Sequence, residues 1–96
     1  MSDRDAYVEK FKAQIDQWNA DIDKLEAKAR EAKADARIEY EKRLAEARMR
    51  RDEAQTKLDE LRSASGEAWE DVKLGAEQAW SACREAVEHA AARFKS

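Results

Sequence analysis

Large apolar residues recur at intervals of three and four through the N-terminal part of the chain. Six of them form what is called here the N-terminal stripe: Val8, Phe11, Ile15, Trp18, Ile22 and Leu25. Such spacing places side chains on one face of a helix and is typical of a coiled-coil seam. The seam continues through alanines at 29, 32 and 36, so it persists while its side chains shrink to methyl groups.

The seam changes frame in the middle of the chain. Tyr40 follows Ala36 by four positions where three were due, and the new frame runs through Leu44, Ala47, Arg51, Ala54, Leu58 and Leu61. Such a stutter locally unwinds a left-handed coiled coil. Ile38 and Met49 lie outside both frames, which predicts a second, partly apolar flank near the middle of this helix.

The segment from Asp3 to Arg62 contains neither glycine nor proline. We therefore predict one helix over residues 3–62, about 90 Å long at a rise of 1.5 Å per residue. An isolated helix draws most of its stability from packing of its apolar face, so this helix needs a partner. Arg51 occupies a seam position, where a charged residue can set the register or the oligomeric state.

The stretch 63–66, with sequence Ser-Ala-Ser-Gly, is the turn signal in the interior of the chain. Gly66 can adopt the left-handed conformation that ends many helices. A second helix is predicted over residues 67–94, because apolar residues again recur every three or four positions, from Trp69 to Phe94. Gly75 lies within this helix and predicts a bulky group close to it.

The predicted fold class is all-α, with a long helix and a shorter one packed as a helical hairpin; one continuous helix is the alternative. Folding at the turn brings large residues opposite small ones, which favours the hairpin. Its packing residues are predicted to be Tyr40, Leu44, Leu58, Leu61, Trp69, Val72, Trp80, Cys83, Val87 and Phe94. The shorter helix leaves the N-terminal stripe uncovered, so we predict that this stripe is a homo-oligomer interface, with a dimer of hairpins favoured.

Composition narrows the class of protein. The 96 residues predict a single helical domain over 1–96, and 43% charged residues with no proline are typical of long helices or coiled coils. A net charge of −3 does not favour a charge-driven partner. The polar N-terminus and the lack of a long apolar run predict a cytoplasmic protein rather than a secreted or membrane-spanning one.

Candidate catalytic groups are few. Cys83 lies on the apolar stripe of the second helix, where burial keeps a thiol neutral, and His89 lies on another face. Glu85 and His89 are four positions apart and can touch one ion, but zinc and di-iron sites need three or four ligands. We expect no enzyme, no cofactor and no metal within one chain; a metal held by Glu85 and His89 across an oligomer axis stays open.

Two segments have an alternative interpretation as binding surfaces. Six basic residues of segment 37–51 form a candidate phosphate footprint: Arg37, Lys42, Arg43, Arg48, Arg50 and Arg51. They spread around the helix between acidic flanks, so pairing with acidic residues is the preferred interpretation over nucleic acid. The second helix could also lie on a lipid surface through Trp69, Trp80 and Phe94. Its acidic polar face favours packing inside a bundle instead.

Segments 18–29 (WNADIDKLEAKA) and 65–73 (SGEAWEDVK) resemble short bacterial coiled-coil proteins that carry no assigned function. The resemblance covers nearly the whole chain and implies a helical fold without catalytic residues. The Ala, Glu and Lys-rich pattern is also similar, by composition, to late-embryogenesis proteins, apolipoprotein-type helices and granule-coating phasins. The continuous apolar seam without a catalytic constellation predicts a coiled-coil scaffold or adaptor that self-associates and binds an unidentified protein. The alternative is a stress-protective or surface-coating protein that binds lipid or a hydrophobic polymer.

Overall fold

A computed structural model describes residues 3–94 and contains three α-helices: α1 (Asp3–Glu31), α2 (Ala34–Ser63) and α3 (Trp69–Arg93). The all-α class is confirmed, and no strand occurs within 3–94. The helices form an elongated bundle of 51 × 20 × 18 Å. The four terminal residues of the domain predicted over 1–96 lie outside the described part.

The helices alternate in direction. Arg4 at the start of α1 donates a hydrogen bond to the carbonyl of Leu61 near the end of α2, and Tyr40 near the start of α2 stacks on Phe94, directly after α3. Each pair joins an early residue of one helix to a late residue of its neighbour, so α2 runs antiparallel to both α1 and α3. It follows that α1 and α3 run parallel.

The single helix predicted over 3–62 is wrong, and so is the alternative of one continuous helix. The chain leaves helical geometry at Ala32 and Lys33, where Lys33 has φ −65° and ψ 154°. The reversal lays the N-terminal stripe on α2 and α3. Burying a large apolar side chain is worth about 1.5–3 kcal/mol. The few helical hydrogen bonds given up at the break cost about 0.5–1.5 kcal/mol each.

An arginine side chain, rather than a glycine or an N-cap side chain, supplies hydrogen bonds to the backbone at the break. Lys33 makes no side-chain cap. The guanidinium of Arg37 donates to the carbonyl of Arg30 at 2.8 Å and to that of Ala32 at 3.4 Å. These carbonyls end α1 and lack helical partners, so a positive group is favourable there.

The second turn occupies residues 64–68, slightly later than the predicted 63–66, since Ser63 is the last residue of α2. The hydroxyl of Ser65 accepts a hydrogen bond from the backbone N–H of Ala68 at 3.3 Å, which delays the start of α3 to Trp69. The expectation of a left-handed glycine is wrong, because Gly66 does not have a positive φ.

One apolar core runs through the bundle, and all three helices contribute to it. Phe11, Ile15, Trp18, Ile22 and Leu25 are buried in it, and Val8 packs against it. The stripe predicted to be uncovered is therefore covered by the same chain. The ten residues predicted to pack the hairpin all lie in this core or against it: Tyr40, Leu44, Leu58, Leu61, Trp69, Val72, Trp80, Cys83, Val87 and Phe94.

Aromatic rings join α1 to α3. Trp80 makes edge contacts with Phe11 and Trp18, at centroid distances of 5.1 and 5.4 Å. Tyr7 continues the series, 6.2 Å from Phe11 and 5.7 Å from Trp69. Five rings therefore form one connected cluster between the two parallel helices. This cluster packs α1 against α3, in addition to the contacts that α1 makes with α2.

Candidate functional site

The outer face of α2, opposite its buried face, carries exposed apolar side chains. Ile38 is 64% exposed and Met49 is 48% exposed. They are eleven positions apart, which is three helical turns, and Ala45 lies between them on the same face. These three residues are called here the outer strip. They form the second apolar flank that the sequence predicts, but on α2 alone and facing away from the core of the described bundle.

Charges of both signs border the outer strip. On one side Arg43 lies 3.6 Å from Glu39, and Arg50 lies 3.3 Å from Glu53. These four groups already pair within α2, so the apolar strip is bordered on this side by charges that cancel. Such a surface selects a partner by apolar contact more than by net charge.

One large apolar side chain is also exposed on α3. Leu74 is 62% exposed. A shallow groove between α2 and α3 lies nearby, lined on its α3 side by the small residues Gly75, Ala79 and Ala82. The close group predicted at Gly75 is the Lys57 side chain, whose Cε would lie 3.5 Å from a Cβ at this position. That distance is ordinary van der Waals contact, so the glycine is not required by space.

Cys83 lies in the core, away from solvent. Burial raises the pKa of its thiol to about 12; the nearby Arg51 acts to lower this pKa and Glu53 acts to raise it. A thiol with this pKa stays protonated at neutral pH and is a poor nucleophile. His89 is exposed on the surface of α3, so the structure does not bring the two groups together.

Glu85 and His89 are both exposed on α3. Within residues 3–94, no three His, Cys, Asp or Glu side chains are placed to hold a metal ion. The pair can offer two ligands at most from this chain. A site completed across an oligomer axis stays a prediction.

The basic segment of α2 is largely occupied by contacts within the chain. Arg48 pairs with Glu26 of α1 at 2.8 Å. Arg37, Arg43 and Arg50 make the contacts described above, and Arg51 Nη1 donates to Asn19 Oδ1 at 3.2 Å. A nucleic-acid phosphate would have to compete with each of these acceptors.

Arg51 occupies a seam position, as the sequence predicts, and its side chain contacts a neighbouring helix. Its guanidinium bridges Asn19 of α1 and Asp52 of α2. Asn19 was missed, because a contact between α1 and α2 requires the chain reversal that the sequence did not reveal. This bridge makes the charged seam position specific for one alignment of α1 on α2.

A cation-aromatic cluster at one end of the bundle was also missed. Arg4 Cζ lies 5.7 Å from the centroid of the Trp69 ring, and Lys73 Nζ lies 5.0 Å from that of Tyr7. Burial, and secondarily the charge of Glu77, raise the pKa of Tyr7. The indole N–H of Trp69 is buried and has no hydrogen-bond partner among the described atoms. The cations lie over ring faces, where the ring quadrupole attracts them.

No helix in the described part of the chain is long and apolar enough to cross a membrane. Comparison of the chain with protein-family models, with curated proteins and with solved structures gives no match.

Proposed function

We propose that the protein is a non-enzymatic helical scaffold or adaptor, acting through self-association and through binding of another protein. The observation that carries the proposal is the outer strip. Most other large apolar side chains of the described residues lie in or against the core, whereas Ile38 and Met49 point away from it. Exposed apolar groups between polar edges are typical of protein interaction sites.

The geometry of the strip favours a helical partner. Ile38, Ala45 and Met49 are spaced by seven and four positions, which is the spacing of one side of a coiled-coil seam. A partner helix with its own apolar stripe can lie along these three turns. Three turns make a small contact, so the binding is expected to be transient rather than obligate.

The proposal is tested by a photo-cross-linking amino acid placed at Met49 and, as a control, at Gln17, which is exposed on α1. Adducts from Met49 to a discrete protein or to a second copy, and none from Gln17, are the expected result. Ile38→Glu should abolish the Met49 adducts while circular dichroism of the bundle stays unchanged. Equal cross-linking from both positions, or none from either, would overturn the proposal.

A surface-coating role is the second candidate, and one observation favours it. Each of the three helices buries an apolar face in the core, and α1 is joined to α2 by only two residues. Opening this connection would spread the apolar faces on a lipid or polymer surface. Titration with phosphatidylcholine vesicles that carry a brominated lipid separates the candidates: a coating protein brings its three tryptophans into contact with the brominated chains, which quench their emission, whereas an adaptor keeps them in the core and unquenched.

A further inference from the structure

We infer that α1 exchanges between two copies of this chain, and that the connection between α1 and α2 straightens into one helix when it does. In the exchanged dimer each N-terminal stripe lies on α2 and α3 of the other copy. This inference deepens the self-association part of the proposed function and rests on it. The partner it commits to is a second copy of the chain.

The connection departs from a helix very little. Lys33 has φ −65°, which is already a helical value, and only its ψ of 154° is extended rather than near −42°. Ala32 N still donates to Ala29 O at 3.2 Å, so a tight 3₁₀-type turn continues α1 as far as Ala32. Neither glycine nor proline interrupts residues 3–63. Short connections of this kind favour exchange over a tight reversal.

Straightening adds hydrogen bonds that the reversed chain lacks. In a continuous helix the N–H groups of residues 34–36 would donate to the carbonyls of residues 30–32. In the closed bundle the guanidinium of Arg37 occupies two of these carbonyls, those of Arg30 and Ala32. Arg37 therefore stabilises the reversed connection and competes with the straight one.

The surface that receives α1 is specific for α1. Trp18 meets Trp80 edge to face at 5.4 Å, and Glu26 pairs with Arg48 at 2.8 Å. An α1 helix from a second copy would make the same contacts, because α2 and α3 present the same residues to it. The closed and exchanged forms then differ only in the connection and in the entropy of association, so concentration decides between them.

The exchanged dimer has a distinct shape. A helix over residues 3–63 is about 90 Å long at 1.5 Å per residue, whereas the closed bundle extends 51 Å. Two such helices run antiparallel, with one α2–α3 hairpin at each end. The dimer therefore exceeds the length of two bundles packed side by side.

Two variants move the equilibrium in opposite directions. Ala34→Pro fits the closed form, because residue 34 is the first of α2 and Lys33 before it is already extended. In a continuous helix this proline would lose a hydrogen bond and clash with the preceding turn, which should weaken dimerisation at least about 100-fold. Ala34→Ser is the matched control and permits both forms. Arg37→Met should strengthen dimerisation several-fold.

The measurement is light scattering and small-angle X-ray scattering after refolding over a concentration series, with a photo-cross-linker at the exposed Asp23, one turn before Glu26, and a mixture of ¹⁴N and ¹⁵N chains. We expect cross-links between ¹⁴N and ¹⁵N chains, from α1 of one copy to the region of Arg48 in the other. The dimer should be about 90 Å long, and Ala34→Pro should abolish it. A dimer unaffected by Ala34→Pro, with same-isotope cross-links only, would overturn exchange and leave self-association standing. A monomer at every concentration, with Arg37→Met as well, would overturn both.

Discussion

The guanidinium of Arg4 donates a hydrogen bond to the carbonyl oxygen of Leu61 at 3.0 Å, so the first turn of α1 closes the last turn of α2. A second bond goes to the carbonyl of Ala64, and the same group lies over Trp69. Arg37 likewise donates hydrogen bonds to the backbone carbonyls at the end of α1. Each of the first two helices thus ends against an arginine from outside its own last turn.

Removing the Arg4 charge should destabilise the bundle. Arg4→Met keeps the aliphatic stem but leaves two helix-terminal carbonyls without a donor, and hydrogen bonds from charged groups are worth about 1.5–3 kcal/mol. We expect the free energy of unfolding in urea to fall by about 1–3 kcal/mol. The control is Arg62→Met, which removes an equal charge from an exposed position in the last turn of α2. This change should lower the free energy of unfolding by at most about 0.5 kcal/mol. Equal losses for the two variants would show that only net charge matters.

Trp18 and Trp80 should be energetically coupled. Their rings meet edge to face at 5.4 Å, and such pairs contribute about 0.5–1.5 kcal/mol beyond burial. A double-mutant cycle with Trp18→Leu and Trp80→Leu, measured by chemical denaturation, should return a coupling energy in this range. A cycle pairing Trp18→Leu with Phe94→Leu, at the other end of α3, should be additive. Additivity in both cycles would contradict the ring contact.

Gly75→Ala should stabilise the protein. Glycine in a helix interior costs about 0.5–1 kcal/mol relative to alanine, and the added Cβ would meet only the flexible end of Lys57 at 3.5 Å. The free energy of unfolding should rise by about 0.5–1 kcal/mol. The reciprocal change Ala82→Gly, on the same helix, should lower it by a similar amount. A loss of stability on Gly75→Ala would mean that Lys57 cannot move aside.

Cys83 should make the fold less stable in alkali. Its pKa is raised from 9.0 to about 12 in the folded chain. Between these values the unfolded chain gives up a proton that the folded chain keeps, so stability falls by about 1.4 kcal/mol per pH unit. Below pH 9 the thiol contributes no pH dependence. The raised pKa of Tyr7 acts in the same direction at higher pH.

The control for this effect is Cys83→Ala, compared with the unsubstituted chain by urea denaturation from pH 7 to 11. The alanine variant loses some packing at every pH, but its stability should fall less steeply above pH 9. Parallel curves for the two proteins would show that the thiol ionises as readily in the folded chain as in the unfolded one.

The α2–α3 half of the fold could be predicted from the sequence because its signals are local. Ser65 and Gly66 mark a turn, and the alternating three and four spacings on either side set the two apolar faces that meet. The break at Ala32 and Lys33 could not be predicted in this way. It has no proline, glycine or capping residue. The Arg37 contacts across it are local but follow no capping pattern, and the burial of the N-terminal stripe depends on residues distant along the chain.

A partial signal for the break did exist. The seam shrinks to alanine at Ala29, Ala32 and Ala36, and the stutter follows at once, so helix packing is weakest near the reversal. The contact between α1 and α3 could not be predicted either, because it depends on residues that are distant along the chain. The ring cluster of Phe11, Trp18 and Trp80 forms only when the reversal has occurred, and no local pattern specifies which distant helix a stripe will meet.

The parallel packing of α1 on α3 has a consequence for how the chain is made. Trp80 is added about 60 residues after Trp18, so at a synthesis rate of about 5–20 residues per second the first helix waits on the order of 3–12 seconds for its ring partner. Both α1 and α2 are made before α3, so the side of α1 that carries Phe11 and Trp18 has no partner ring until Trp80 is added. During each round of translation the N-terminal stripe is therefore open to chaperones and to neighbouring nascent chains.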